Sequence, residues 1–286
     1  SHFAFNMNTI ANGQWINIGD ISRFYLFEYL GVRLPEIFLM GVLLASLMVL
    51  DKLLHIQTTY RAYLSNKLPE ISLAIAVLFP IVFVLYDRPA LYNGVRHFTF
   101  IIPPLAIVAG IGLSKAWQAL AHHKTWQIGF AATGMALTLN AAYLMYSLHP
   151  YEYVYYNHFA GKNMQAIEHK WEADYWSSSL IDAGKMLTDY LSAEQNNNPT
   201  EHQGPYYVAV CAEAFQGQAY LDKRFQVTED WVLADFFMSS TNMNCDQVLK
   251  GKMVGTVERL GATLAVVKDR RELQGEDRRP HAPPRN

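Results

Sequence analysis

Arg96 and His97 stand side by side immediately before Phe98, where the charged, aromatic loop 87–97 runs into the apolar stretch 98–113. A cation and an imidazole at such a junction lie where hydrocarbon gives way to headgroups and water, and ionisable groups there are costly unless something uses them. Tyr92 precedes them by a short Asn93-Gly94 turn. The other chemistry-bearing residues are sparse. Cys211 and Cys245 are the only cysteines; two give no metal spacing and leave a stapling disulfide and a pair of buried thiols both open. His122-His123 lacks a third ligand nearby, so it reads as a solvated loop, and no metal site is expected. The chain has no Gly-rich phosphate loop, no Gly-x-Ser-x-Gly elbow and no Cys-x-x-Cys.

Positioning these residues falls to a chain of two characters. The 286 residues are 51% hydrophobic, 17% charged and 13% aromatic. A mean hydropathy of +0.02 averages an apolar first half with an ordinary polar second half. The formal charge of -2 and the absence of basic runs interleaved with aromatics argue against a nucleic-acid partner. The opening SHFAFNMNTI has no initiator Met and no signal-peptide pattern although the following residues call for a membrane, so the chain is expected to be the later part of a longer polypeptide.

The expected fold class is a membrane protein: an α-helical transmembrane bundle of about four spans followed by a small extracytoplasmic α/β domain. Residues 1–33 mix Trp15, Phe24, Tyr25, Phe27 and Tyr29 with Asp20, Arg23, Glu28 and Arg33 and read as an outer interfacial segment. The transmembrane region, 34–148, holds spans near 35–54, 70–86, 98–117 and 126–148. Three of the apolar runs fall short of the roughly 20 residues that cross a bilayer, and Asp51, Lys52 and Lys115 extend them by snorkelling. Pro80, Pro103 and Pro104 are expected to kink the second and third spans. The loops after the first and third spans carry Lys52, Arg61, Lys67, Lys115 and Lys124 against Arg88 and Arg96 in the loop between, which puts the former inside and everything beyond Leu148 outside.

Beyond the spans, residues 149–267 read as the extracytoplasmic domain. HPYEYVYYNHFAG (149–161) and WEADYWSSS (171–179) read as an aromatic belt at a wet interface, with a sugar- or headgroup-binding surface as the sharper alternative. Trp176, Leu180, Ala183, Leu187 and Leu191 recur at helical spacing. Strands are expected at 206–211, 231–238, 253–259 and 263–267, the last two joined by a short turn centred on Gly261. The tail 268–286 is charged and Pro-rich and is expected to be disordered.

The blocks YNGVRHFTFIIPPLAIVAGIGL, LHPYEYVYYNHFAG and WEADYWSSSLIDAGKML resemble the carboxy-terminal part of bacterial multi-span glycosyltransferases of the GT-C type, the protein-mannosyltransferase and aminoarabinose-transferase family. The resemblance covers the chain from about Trp15 to Val267. It implies transfer of a sugar from a polyprenyl-phosphate carrier to an acceptor on the outer face, by inverting displacement at the anomeric carbon. It further implies a bacterial inner-membrane protein with a periplasmic carboxy-terminal domain, the bilayer and a lipid-linked sugar as partners, and no cofactor beyond that donor. In that family an acidic residue in the first outer loop, just after the first span, serves as the catalytic base; that loop is not in this chain, Asp20, Glu36 and Asp87 do not occupy the motif, and the resemblance therefore implies a base upstream of Ser1.

A polyprenyl phosphate keeps its tail in lipid and its anionic head at the boundary, where a cation and hydrogen-bond donors must meet it. Arg96, His97 and Tyr92 are the expected carrier-phosphate residues, with the Asn93-Gly94 turn exposing amides. The alternative for Arg96 is that it only snorkels. The alternative for the whole chain is a non-catalytic four-span anchor displaying a small α/β binding domain.

Overall fold

Glycine and alanine let two helices of this chain pack backbone against backbone. In a computed structural model, which describes residues 8–54, 68–197 and 204–281, helix α2 (Glu36–Leu54) lies against helix α4 (Ile102–Ala119) through Gly41 and Ala45 on one side and Ala109 and Gly112 on the other. A methyl on Gly41 would stand 2.5 Å from the Ala109 carbonyl oxygen, and one on Gly112 would run into the Gly41 carbonyl. Small residues let backbones touch, which is how helices associate where no water drives them together. Gly41 faces Ala109 and Ala45 faces Gly112, so α2 and α4 run in the same direction. Helix α3 (Leu68–Asp87) lies between them in the sequence, with Pro80 buried inside it.

The chain divides into two units, the first built from Asn17–Tyr146 and Tyr155–Ala160, the second from Thr9–Ile16, Ser147–Val154 and the chain from Gly161 onward. In the first unit, helix α1 (Tyr25–Arg33) buries Tyr25, Leu26, Tyr29 and Leu30 on one face. It ends at Leu34 because Pro35 disfavours helical backbone in the residue before it. Helix α5 (Lys124–Leu148) buries only Leu148 fully. Among the described residues three helical stretches are long and apolar enough to cross a membrane: α3, the 24 residues Arg96–Ala119, and α5. The expected first span, α2, has 19 residues with Glu36, Asp51 and Lys52 at its ends and is not one of the three.

Two expectations for the amino-terminal half of the chain change. Pro103 and Pro104 occupy the first turn of α4, where a missing N–H removes no helical hydrogen bond. The break lies instead at Phe98 (φ -121°, ψ 19°), inside the 3-10 turn Arg96–Ile101 that leads into α4. The amino-terminal segment is not a uniform interfacial stretch either. Residues Asn8–Ala11 (β1) and Gln14–Asn17 (β2) form a hairpin through Asn12 and Gly13, both at positive φ, and the tyrosines of α1 are buried.

The second unit is a five-stranded mixed sheet in the order β4-β3-β5-β7-β6. Its strands are β3 (Tyr206–Cys211), β4 (Phe225–Val227), β5 (Phe236–Ser240), β6 (Lys252–Arg259) and β7 (Ala262–Asp269). β3 is parallel to β4 and β5, and β7 is antiparallel to β5 and β6. The β6–β7 hairpin turns at Leu260-Gly261, both at positive φ, as a two-residue loop requires. A short helix α6 (Met164–Ile167) precedes α7 (Leu180–Asn197), which packs Leu180, Ala183, Leu187 and Leu191 on the sheet; α8 (Ala214–Ala219) joins β3 to β4.

Three expectations shift here. Trp176 is 54% exposed and precedes α7 rather than lying on its buried face. The strand expected at 231–238 starts at Phe236, because the Asp230 carboxylate accepts from the Val232 amide and turns the chain. The tail is ordered through His281: β7 runs to Asp269, and Arg270 is fully buried, donating to the carbonyls of Lys250, Trp231, Ala234 and Arg278.

Candidate functional site

Two consecutive left-handed residues, Asn93 (φ 55°) and Gly94 (φ 69°), fold the chain so that what precedes and follows them meet. Tyr92 comes against His97, ring centroids 4.8 Å apart and edge to face, and the Arg96 guanidinium carbon lies 5.0 Å from the centre of the Tyr92 ring. The three expected carrier-phosphate residues are thus brought together around one phenol ring, at the start of the Arg96–Ala119 stretch. Cation–π attraction fixes a guanidinium through its charge without consuming a hydrogen-bond donor. Phe98, the next residue, is buried and His97 is exposed.

The Asn93-Gly94 turn does not expose its amides as expected. Gly94 is buried, its N–H donates to the Tyr25 hydroxyl at 3.1 Å, and a methyl there would meet the Tyr29 ring. The turn packs against α1, and the donors left to the site are side chains.

A second cluster of polar groups lies at the same end of α2 and α4. Arg33, the last residue of α1, donates to the Tyr155 carbonyl at 3.0 Å and covers the Tyr156 ring at 3.8 Å. Its Nε also lies 3.8 Å from where a Gly94 Cβ would stand. Asn157 donates to the carbonyls of Gly31 and Leu34, both at 2.7 Å, and satisfies the open end of α1. Glu36, in the first turn of α2, accepts at one oxygen from the main chain (2.9 Å) and the Nδ1 (2.8 Å) of His158. Sequence reasoning took 149–161 as an aromatic belt, with a sugar- or headgroup-binding surface as the alternative, and missed this pairing, since 122 residues separate Glu36 from His158. The available signal was the polar Asn157-His158 dipeptide interrupting the tyrosines.

In the second unit the two acids of 171–179 are buried and hold the chain in place. Asp174 is fully buried and accepts from the Ser178 and Ser179 amides and from the Tyr153 and Ser179 hydroxyls, holding the chain at the amino end of α7. Glu172, also fully buried, accepts from the Thr9 hydroxyl and the Ile10 amide and ties down the β1–β2 hairpin. Burial, then the Asp174 charge, pushes the Tyr153 phenol pKa up, so that hydroxyl stays a donor. Cys211 at the end of β3 and Cys245 in the 3-10 turn Asn242–Gln247 form a disulfide, with Cα atoms 6.3 Å apart. His122 and His123 are exposed, and no cluster of three metal-ligating side chains exists among the described residues.

No family model matches the chain, and neither a curated protein nor a solved structure is significantly similar to it.

Proposed function

We propose that this chain is the carboxy-terminal portion of an integral-membrane glycosyltransferase that moves a sugar from a polyprenyl-phosphate carrier to an acceptor on the outer face. The observation that carries the reading is the convergence of Arg96, His97 and Tyr92 at the head of an apolar helix. A lipid phosphate at that depth meets a planar guanidinium, an imidazole and a phenol, while its polyprenyl tail runs alongside apolar residues.

The shared direction of α2 and α4 supports a four-span arrangement. Two helices that enter the membrane from the same side need a return between them, which α3 supplies, and α5 then carries the chain back. In this arrangement the loop 87–97 and the sheet-containing unit share one side, the periplasm of a bacterial inner membrane, while the loops richer in Lys and Arg lie inside.

Transfer of sugar from polyprenyl-phosphate donors by the native polypeptide, compared across Arg96 variants, tests the reading. Arg96→Lys is expected to lose much of the activity, because an ammonium is a point charge where a planar fork grips two phosphate oxygens, and Arg96→Ala nearly all. An arginine that only snorkels tolerates Lys without loss. Near-normal transfer in Arg96→Ala removes this site, and absence of transfer in the parent protein favours a membrane anchor that displays the second unit.

A further inference from the structure

Trp176 and Phe215 are two large apolar side chains that the second unit holds out where loop 171–179 meets helix α8. Trp176 is 54% exposed and Phe215 76%. Gln216, the residue after Phe215, donates its side-chain N–H to the Trp176 carbonyl at 2.9 Å, so the helix that carries Phe215 is fixed beside Trp176.

An aromatic ring left in water forgoes the gain of burial, and here the fold braces the indole instead of covering it. The Trp176 ring lies 5.6 Å from the Tyr175 ring, which meets the Tyr153 ring edge to face at 5.4 Å. The Tyr153 hydroxyl is in turn held by the buried Asp174. On the other side Ser177 takes a positive φ (52°), uncommon for a residue with a side chain, and its hydroxyl meets that of Ser240 at 3.1 Å. Trp176 is thus pinned at its carbonyl, at its ring and through the residue that follows it. A ring fixed in advance binds at little cost in side-chain entropy.

Charge and shape set what such a surface takes. Residues 173–179 and 212–218 carry no Lys or Arg; their acids are Asp174, which is buried and engaged, and Glu213, which is exposed. An anionic headgroup surface attracts cations, so this patch is mismatched to one. The exposed large apolar groups of these residues are both aromatic, and Ser177, Ser178 and Gln216 lie beside them with hydroxyls and an amide. Ring faces flanked by neutral hydrogen-bonding groups match a pyranose, whose C–H face is apolar and whose rim is made of hydroxyls.

We propose that Trp176 and Phe215 form a stacking platform for neutral glycans, with sugar rings lying on the indole and the phenyl and the neighbouring amide and hydroxyl groups taking their hydroxyls. As a binding surface the platform belongs to the second unit alone. As the place where a glycan acceptor is held, it rests on the transfer reading.

The test is saturation-transfer NMR on the native polypeptide in detergent, with soluble tetrasaccharides of glucose, mannose and N-acetylglucosamine as probes. At least one probe should receive saturation at its ring C–H protons. Trp176→Ala should weaken binding of that probe by about tenfold, while Trp176→Phe keeps most of it. β3 and β5 should retain their hydrogen-exchange protection in both variants, and Phe215→Ala should weaken binding severalfold. No saturation of any probe overturns the platform, as does parental affinity in both Trp176→Ala and Phe215→Ala. Equal loss in Trp176→Phe and Trp176→Ala, or lost protection, assigns Trp176 a structural role and also overturns it. After reconstitution into vesicles, quenching by brominated phosphatidylcholine of the emission that Trp176→Phe removes places the ring in the bilayer interface and overturns it too. Retention of polyprenyl phosphate on the same preparations reads the Arg96 site separately, so either reading can fail alone.

Discussion

Arg270 illustrates how a single side chain converts an apparently unstructured tail into part of a fold. Its guanidinium is enclosed and donates to four carbonyls, so truncation leaves buried acceptors unpaired. Arg270→Met is expected to destabilise the second unit by roughly 2–4 kcal/mol, read as lost hydrogen-exchange protection in β7 and the 3-10 turn Gly275–Arg278. A parallel argument gives an acid dependence. Burial opposes the charge of Asp182, but hydrogen bonds from Tyr151 and Lys185 and the nearby Arg259 outweigh it, so the folded pKa lies below the ordinary value. The stabilisation is present above the unfolded pKa, about 4, and is lost as pH falls through the lowered folded one. Acidification below about pH 4 should open the α7–β6 region, and Asp182→Asn should flatten that dependence in hydrogen exchange. At this scale the sequence was a partial guide: Arg96, His97 and Tyr92 are near neighbours in the chain and could be grouped by eye, whereas Glu36 and His158 could not.

At the scale of elements, the contact between α2 and α4 depends on glycine where nothing larger fits. Gly112→Ala places a methyl against the Gly41 carbonyl, and overpacking of this kind costs roughly 1–3 kcal/mol. Gly110 sits in the same helix with open space around its Cα, so Gly110→Ala should be neutral or mildly stabilising. Thermal unfolding of both variants in detergent checks the pair; equal behaviour would sink the close-packing argument. Glu36 begins α2 and Arg96 precedes α4 at the matching end of the pair, so under the proposed function loss of the contact should also weaken retention of polyprenyl phosphate.

For the whole molecule, the proposed topology makes a labelling prediction. With an impermeant thiol reagent on intact cells, Arg88→Cys should label from outside and His122→Cys only after permeabilisation, both positions being exposed in the structure. The reverse pattern rejects the orientation. Residues 61–64 and 200, other natural probes of the same question, lie outside the described residues. The Cys211–Cys245 bridge closes a separation of 34 residues, for which chain entropy gives about 3–4 kcal/mol. Cys245→Ser should therefore lower the unfolding temperature of the second unit and abolish the mobility shift between reducing and non-reducing gels.

The sequence by itself determined the features that are local. Unbroken apolar runs of this length mark helices, helical spacing of Leu180, Ala183, Leu187 and Leu191 marks α7, and two strand-like runs around a turn at Gly261 mark β6 and β7. It also placed the three residues of the candidate phosphate site within one turn of each other. Only the tertiary structure decided what depends on distant partners: that Asp174 and Glu172 hold the fold rather than face a ligand, that Arg270 draws the tail into the core, that the Gly94 amide is consumed by Tyr25, and that a glutamate at the head of α2 meets a histidine 122 residues later. A charged side chain reads the same in a sequence whether it is solvated, bridging or poised for chemistry. The difference lies in which groups surround it, and the chain must fold before those groups are assembled.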